Sequence, residues 1–543
     1  MPLQRGVDVG ERSMIRSAAL GLALTLATAG GAAAQLSPYA SAGEQQAALT
    51  DGRVTSEQLV RGYLERIERI DRAGPKLNAV LALNPKALDE ARRLDAERRA
   101  GKVRGPLHGL PILLKDNIET ADGTPTTAGS LALAANAAGR DAPLVTRLTD
   151  AGAIVLGKTN LSEWANFRGN RSISGWSAVG GLVRNPYSLD RTACGSSSGS
   201  GAAVAAGLAA FAVGTETDGS ITCPAAMTGV VGLKPTVGLV SRTHIVPISP
   251  EQDTAGPMTR TVADAAAMLN VIAGTDPTDP ATREADARKS NYLAGLKRDA
   301  LKGARIGVWF PWKGRSSQTD AVFETALQAL RDQGAVLVDV KAPDEATLAR
   351  IGELEGDLLR WEFKAALDAY LATTPAAVKS RTLADLIAFN RAEPRELALF
   401  GQEIFEAAQA KPPITDPAYR EKRTVARKLA RDSLDRMLSE QTLDAIVSPS
   451  GGPPSIVDPV NGGPFFGSPS RLPAVSGYPH LTVPAGYATG LPVGLSFLGP
   501  EWSEARLLAL GYAFEQATRA RREPEFLPEV AARPDIARAY DPR

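Results

Sequence analysis

Apolar positions along the chain alternate between helical spacing and short continuous runs. From Thr55 to Arg72, the residues Leu59, Tyr63, Ile67 and Ile70 fall on one face of a 3.6-residue period and predict an amphipathic helix. Thr55 followed by Gln58 supplies a capping box at its start. Ala87, Leu88, Ala91 and Leu94 predict a second helix over about Pro85 to Ala100, and Asp141 to Ala151 a third. Between them, Ile112 to Leu114 and Ala153 to Leu156 are short apolar runs of the kind that form buried strands. A small-residue run from Ala202 to Ala212 predicts a tightly packed helix and then a buried strand. Val237 to Val240 and Val246 to Ile248 predict two further short strands, and Thr261 to Ile272 a helix capped by Thr261 and Asp264.

Beyond Asp276 the chain is polar as far as about Ala300 and predicts a surface connection. Strands are expected at Arg305 to Trp309 and Ala335 to Val340, around a helix from Thr319 to Gln333. From about 344 to 441 the pattern is mainly helical, with Trp361 and Phe363 as anchors, a segment suited to covering a site. Strands return at Leu443 to Val447, His480 to Pro484 and Leu491 to Leu498, before a closing helix from Ser503 to Thr518. Strands alternating with helices predict an α/β fold.

The stretch from Cys194 to Ala225 interrupts this regular pattern. It opens Cys194-Gly195-Ser196-Ser197-Ser198-Gly199-Ser200 and ends with Thr217-Asp218-Gly219-Ser220. Ser/Gly density commonly marks a flexible linker, but a linker does not run into an apolar helix–strand pair. Glycines beside serines at element ends let the backbone approach a ligand and aim N–H groups at it. A short tight turn places Ser220 next to the N–H groups of Thr217, Asp218 and Gly219, which suit an oxyanion hole.

These residues resemble the amidase signature family. The match comprises CGSSSGS at 194–200, GTETDGSITCPA at 214–225 and GVVGLKPT at 229–236. Lys115-Asp116-Asn117 matches the family's KDN motif, and Asp253-Thr254-Ala255-Gly256-Pro257-Met258 its DTxGPM segment. The resemblance is firm from about Gly105 to Ala273, and its wording is nearest the bacterial peptide amidases. The departures are Asp218 where Gly is usual, Glu216 for Asp, and Thr222 for Arg. The resemblance implies one large amidase domain, with a central mixed twisted sheet covered by helices on both faces, and hydrolysis of carboxamides with release of ammonia, in this subgroup from the C-terminus of peptides. It implies Ser220 as nucleophile, Ser196 as bridging serine after a cis Gly195–Ser196 bond, Lys115 as base, and no cofactor or metal. Trp164, Asn166 and Ser197 are candidates for substrate contact. A general aliphatic or aryl amidase is the alternative within the family. A non-catalytic binder, or an amidotransferase-type subunit, is the alternative outside simple hydrolysis.

Composition narrows the choice. The chain has 543 residues, with 61 basic against 60 acidic side chains and a net charge of +1, which gives no electrostatic case for nucleic acid. Arg5, Arg12 and Arg16 precede an apolar run from Ala18 to Ala27 and the small residues Gly30 to Ala34. This is the order of a cleavable secretory signal. The expectation is a signal over 1–34, cleaved after Ala34, and a mature domain over 35–543. Met14 is a second candidate start. The run is shorter than the roughly 20 residues a spanning helix needs, so the expected product is exported, periplasmic or secreted, with no stable anchor. Oligomeric state is open. The two cysteines, Cys194 and Cys223, have no zinc-site spacing. Export permits a disulfide between them, but small buried side chains are the expected reading.

A G-x-S-x-G match at 195–199 offers a competing reading as an α/β-hydrolase, with Ser197 as nucleophile. That chemistry needs a histidine, and the chain has only His108, His244 and His480. His108 is expected to be an ordinary loop residue.

Overall fold

The apolar runs become the strands of one sheet. A computed structural model describes residues 36–460 and 467–540. The expected signal and its cleavage position at Ala34 lie outside the described residues. From Leu36 onward the chain forms one compact unit. Apart from a two-stranded hairpin (Trp176–Ser177 with Gly181–Leu182), the strands form one sheet: β1 (Val80–Leu83), β2 (Pro111–Lys115), β3 (Ile154–Thr159), β4 (Phe211–Glu216), β5 (Val231–Lys234) and β6 (Thr254–Thr259). They continue with β7 (Arg305–Val308), β8 (Val336–Asp339), β9 (Ala445–Pro449), β10 (His480–Ala488) and β11 (Leu491–Leu498). Their order is β1-β3-β2-β4-β6-β5-β10-β11-β9-β7-β8. β3, β2 and β4 run parallel, as do β9, β7 and β8, while the centre from β4 to β9 pairs antiparallel.

Successive strand side chains point to opposite faces, and here both faces are covered. On β2, Ile112 and Leu114 enter one core cluster and Leu113 another. On β4, Phe211 and Val213 are separated from Ala212 in the same way. The first cluster takes in helices Val262–Ile272 and Glu504–Thr518, and the second takes in Ser56–Arg66, Ala87–Arg99 and Ser198–Ala205. Two-sided burial is why these strands read as continuous apolar runs rather than alternating ones. The chain is thus an α/β protein with one large mixed sheet between helical layers.

Local signals were accurate where they were strong. Thr55 and Gln58 form the capping box of the first long helix, which ends in a π-helical turn, Ile67–Arg72. Asp71 in that turn accepts from the N–H groups of Ala79 (2.7 Å) and Val80 (3.1 Å), tying the helix to β1. Two expectations fail. Val237 to Val240 and Val246 to Ile248 are not strands. Val240 makes only an isolated bridge to Ala273, and Ile245 one to Ile118. Neither stretch meets a partner strand, and β-propensity alone does not make one. Conversely, β6 contains Gly256 and Pro257, poor strand formers in isolation, yet it pairs with β4 over six residues. The polar connection after Asp276 is also less superficial than expected, since Ala285 and Tyr292 are buried in the core.

The helical segment contains Glu345–Ala372, Leu383–Ala392, Glu403–Gln409 and Pro417–Ser439. The first of these presents two stripes. Leu359, Phe363 and Leu367 pack with Val246, Ile248 and Trp164, while Leu354, Leu358 and Trp361 pack with Leu434 and Ile446. Trp361 and Phe363 are both buried anchors. This double packing fixes one helix across the signature region. Among the described residues no helix is long and apolar enough to cross a membrane.

Leu481 on β10 lies in the core against the helix Glu504–Thr518, close to Gly511. Leu481→Ala is expected to cost about 2–5 kcal/mol of stability, read as a lower thermal midpoint; an unchanged midpoint would contradict the two-sided core.

Candidate active site

β2 and β4 lie side by side and parallel, with Leu114 opposite Val213. Their C-terminal ends therefore open on the same side of the sheet. Lys115 is the last residue of β2 and is fully buried. Its Nζ lies 2.7 Å from Ser196 Oγ, 2.8 Å from Thr215 Oγ1 and 3.2 Å from the Thr215 carbonyl. Asn117 Nδ2 also donates to Thr215 Oγ1 at 3.0 Å. Burial pulls the Lys115 amine down to about 7 from its ordinary 10.5, against the opposing pull of the Asp253 and Glu216 carboxylates. A buried amine at that value, within hydrogen-bond reach of a hydroxyl, can take the hydroxyl's proton.

Ser196 stands just before the helix Ser198–Ala205, and its peptide bond to Gly195 is cis. Ser162 N–H donates to the Ser196 carbonyl at 3.0 Å. A Cβ on Gly195 would lie 2.1 Å from Ser162 Oγ, so no larger residue fits there.

Ser220 follows the turn at 217–219, where Gly219 adopts a φ of +77° that favours glycine. Its backbone carbonyl accepts from Ser197 N–H at 3.1 Å. The structure thus joins Lys115 to Ser196 directly, and Ser220 to the same loop through the backbone. Among the described residues, the Ser220 hydroxyl has no hydrogen-bond partner, and the N–H groups of Asp218 and Gly219 donate to no acceptor. Glu216 closes this turn. Its Oε2 accepts from Ile221 N–H (2.7 Å), Thr222 N–H (3.0 Å) and Thr222 Oγ1 (3.3 Å). Thr222 therefore contributes a hydroxyl to this cluster. The cation nearest Glu216 in its electrostatic effect is the buried Lys234.

A cavity of about 420 Å³ opens beside these groups, with Asn117, Ser196, Thr215 and Thr217 on its lining; Ser220, Asp218 and Gly219 are not among its lining residues. Val246, Pro247 and Ile248 make an apolar wall, and Ala366 and Ala369 of the helix Glu345–Ala372 face them. Arg242 and Asp279 also line it, but pair with each other at 2.6 Å and leave little net charge. Asp253 is also on the lining, accepting from Thr217 Oγ1 at 2.6 Å and from the N–H groups of Ile248 and Ser249; burial raises its carboxyl to about 6.

The three candidate contact residues do not line this cavity. Trp164 packs edge-on against Phe405 at 5.6 Å in a core cluster. Asn166 Nδ2 donates to Ser174 Oγ at 3.0 Å. Their neighbour Ala165 reaches the cavity instead, because residues 164–166 all take left-handed backbone angles that turn the chain there. Ser197 Oγ donates to the Thr215 carbonyl (3.0 Å) and accepts from Thr215 N–H (3.1 Å), so its hydroxyl is occupied in clasping the loop to β4. That clasp also removes Ser197 as a nucleophile. No histidine hydrogen-bonds it: His108 Nε2 meets the Leu94 carbonyl, His480 Nε2 meets Ser496 Oγ, and His244 Nδ1 lies 3.7 Å from Glu119. His108 lies in a turn, the loop position expected, and is buried.

The cysteines also depart from expectation. Cys194 and Cys223 form a disulfide, with Cα atoms 6.0 Å apart. Spacing of 29 residues along the chain hid a proximity created when the helix–strand pair folds back. Sequence reasoning also missed Thr215, which sits inside the signature but looks like an ordinary strand threonine. Among the described residues no group of three or more His, Cys, Asp or Glu side chains is arranged to hold a metal ion.

A family model described as Amidase matches residues 58–508. The X-ray structure of native peptide amidase from Stenotrophomonas maltophilia matches with a TM-score of 0.85 at 52% identity, covering 90% of this chain and 99% of that one. A crystal structure of the peptide amidase PAM with the competitive inhibitor chymostatin matches with a TM-score of 0.86 at 52% identity, covering 90% of this chain and 100% of that one. A probable amidase of Arabidopsis thaliana is 40% identical over 494 residues, covering 88% of this chain and 90% of the relative.

Thr215 supplies two of the three contacts that orient the Lys115 amine. Thr215→Val removes the hydroxyl and is expected to lower turnover by about tenfold, the worth of one hydrogen bond. Wild-type turnover in that variant would show that the amine needs no such support.

Proposed function

The chain belongs to the amidase family, and from that premise we propose that it removes the amide from the C-terminus of peptides through a relay of Lys115, Ser196 and Ser220. That it is an amidase follows from the family. The observation that carries the relay is the buried Lys115 Nζ within 2.7 Å of Ser196 Oγ. The similarity to peptide amidases, and a mainly apolar cavity able to hold the residue beside the amide, support the peptide reading.

An amide carbonyl is a weak electrophile and a serine hydroxyl a weak nucleophile, so the proton must leave as the bond forms. Neutral Lys115 donates two hydrogens to Thr215 and accepts from the Ser196 hydroxyl. Ser196 in turn takes the proton of Ser220 as Ser220 Oγ attacks the substrate carbon. The N–H groups of Thr217, Asp218 and Gly219 stabilise the oxyanion. Asp218 serves here through its backbone, so a side chain where the family has glycine is compatible with this role. The proton held on Lys115 returns through Ser196 to the departing nitrogen, and ammonia leaves. Water then attacks the acyl-enzyme and the relay runs again.

Export to the periplasm or beyond is part of the same proposal. The basic, apolar and small-residue order at the N-terminus supports it, and so does a disulfide, which persists in oxidising compartments.

Ammonia release from peptide amides, simple aliphatic and aryl amides, and internal peptide bonds tests the substrate class. Peptide amides are expected to react fastest; release only from simple amides would overturn the peptide reading and leave the relay standing. Lys115→Ala, Ser196→Ala and Ser220→Ala are each expected to lower kcat by about 10³-fold or more with unchanged circular dichroism; near-normal turnover in any one would remove that residue from the relay. Protonation of Lys115 blocks the base. The rate kcat/KM is therefore expected to fall as pH drops through about 7 and to level off above it. A profile that is flat from pH 5 to 9 would contradict a titrating amine.

A further inference from the structure

The relay asks for a fixed separation between Ser196 and Ser220, yet no side-chain hydrogen bond among the described residues joins them. Ser196 is held on one side by Lys115 and Ser162. Ser220 sits on a different segment, between a glycine turn and the short helix Thr222–Met227. One backbone hydrogen bond, from Ser197 N–H to the Ser220 carbonyl, links the two segments beside the serines.

Ser197 Oγ also clasps Thr215, and the disulfide is the covalent link. Cys194 stands two positions before Ser196, and Cys223 three positions after Ser220. Cys194 takes a left-handed φ of +56°, and its carbonyl accepts from Ser198 Oγ at 2.5 Å. Cys223 N–H donates to the Gly219 carbonyl at 2.8 Å. Each half of the bridge is therefore anchored in the loop that carries one of the two serines. We propose that Cys194 and Cys223 are positioning residues for catalysis: their bond sets the Ser196–Ser220 distance, and turnover requires it oxidised. The proposal rests on the relay reading above and adds to it a dependence on redox state.

The chemistry balances simply. A reductant supplies two electrons, the S–S bond breaks, and the two sulfurs take up two protons to become thiols. Cys194 is partly exposed and Cys223 is buried, so a small reductant would approach from the Cys194 side. With the bond broken, the two loops keep their own anchors but lose the covalent tie across them. Small misplacements of reacting groups are costly: a shift of about 1 Å lowers rates by on the order of a hundredfold. The fold as a whole is held by the two-sided core and is expected to persist. The consequence is an enzyme of low activity in a reducing compartment, which switches on when oxidised after export.

The full-chain enzyme is treated with tris(2-carboxyethyl)phosphine, and reduction is followed by the mass gained on alkylating a sample. The chain has no other cysteines, so two added groups report complete reduction. Activity on a peptide amide is measured before alkylation. The expected result is a kcat about ten- to a hundredfold lower, with KM changed by less than about threefold, unchanged circular dichroism, and recovery on reoxidation. The double variant Cys194→Ser, Cys223→Ser is expected to show the same low kcat and no response to the reductant. Wild-type kcat in fully reduced protein, or in the double variant, would overturn the proposal. Loss of the circular dichroism signal on reduction would also overturn it, because the bond would then hold the fold and not the site. The oxidised Ser220→Ala enzyme separates the two levels: activity there would sink the relay itself, whatever reduction does.

Discussion

The site depends on one unfavourable act, the burial of the Lys115 amine. Moving its titration from 10.5 to about 7 corresponds to a penalty on the order of 5 kcal/mol on the charged form. The penalty comes from removing water; the carboxylates of Asp253 and Glu216 act against it. Folded protein releases this proton near pH 7 and unfolded protein near 10.5. This residue's cost to stability is therefore fully present below about pH 7, shrinks as pH rises, and vanishes above about 10.5. The amine tolerates the position because Ser196 and Thr215 satisfy its hydrogen bonds.

The sheet makes that burial possible. β2 and β4 are parallel neighbours with helices on both faces, so a lysine at the end of β2 has no route to solvent along either face. The serine loops are then drawn to the strand ends by hydrogen bonds from backbone N–H groups: Ser162 to the Ser196 carbonyl, Ser197 to the Ser220 carbonyl, Thr215 to Ser197 Oγ, and Ile221 and Thr222 to the Glu216 carboxylate. The helix Glu345–Ala372 completes the arrangement by setting Ala366 and Ala369 opposite the wall at 246–248. The residues that hold the reacting groups and those that shape the cavity thus come from different parts of the chain.

Much of this was legible in the residue pattern. The continuous apolar runs of β2, β3 and β4 announced two-sided burial, and the lysine closing one of them announced a buried amine. The serine and glycine spacing identified the two loops. What was hidden depended on contacts between distant segments. Nothing local distinguishes Ser197, whose hydroxyl is taken by Thr215, from Ser196, whose hydroxyl meets an amine. Trp164 looked like a cleft residue, but three successive left-handed residues turn it inward and Ala165 outward. β6 reads as a motif because Gly256 and Pro257 mask a strand that only its neighbours define. The cysteine pair is invisible until the intervening helix and strand are folded back on themselves.

The amine itself can be followed. With lysine labelled at the ε-carbon and ζ-nitrogen, the signal of Lys115, assigned by its absence in Lys115→Ala, reports its protonation as pH is changed. The account predicts a midpoint near pH 7. A signal that remains that of a charged ammonium to pH 9 and beyond would contradict it.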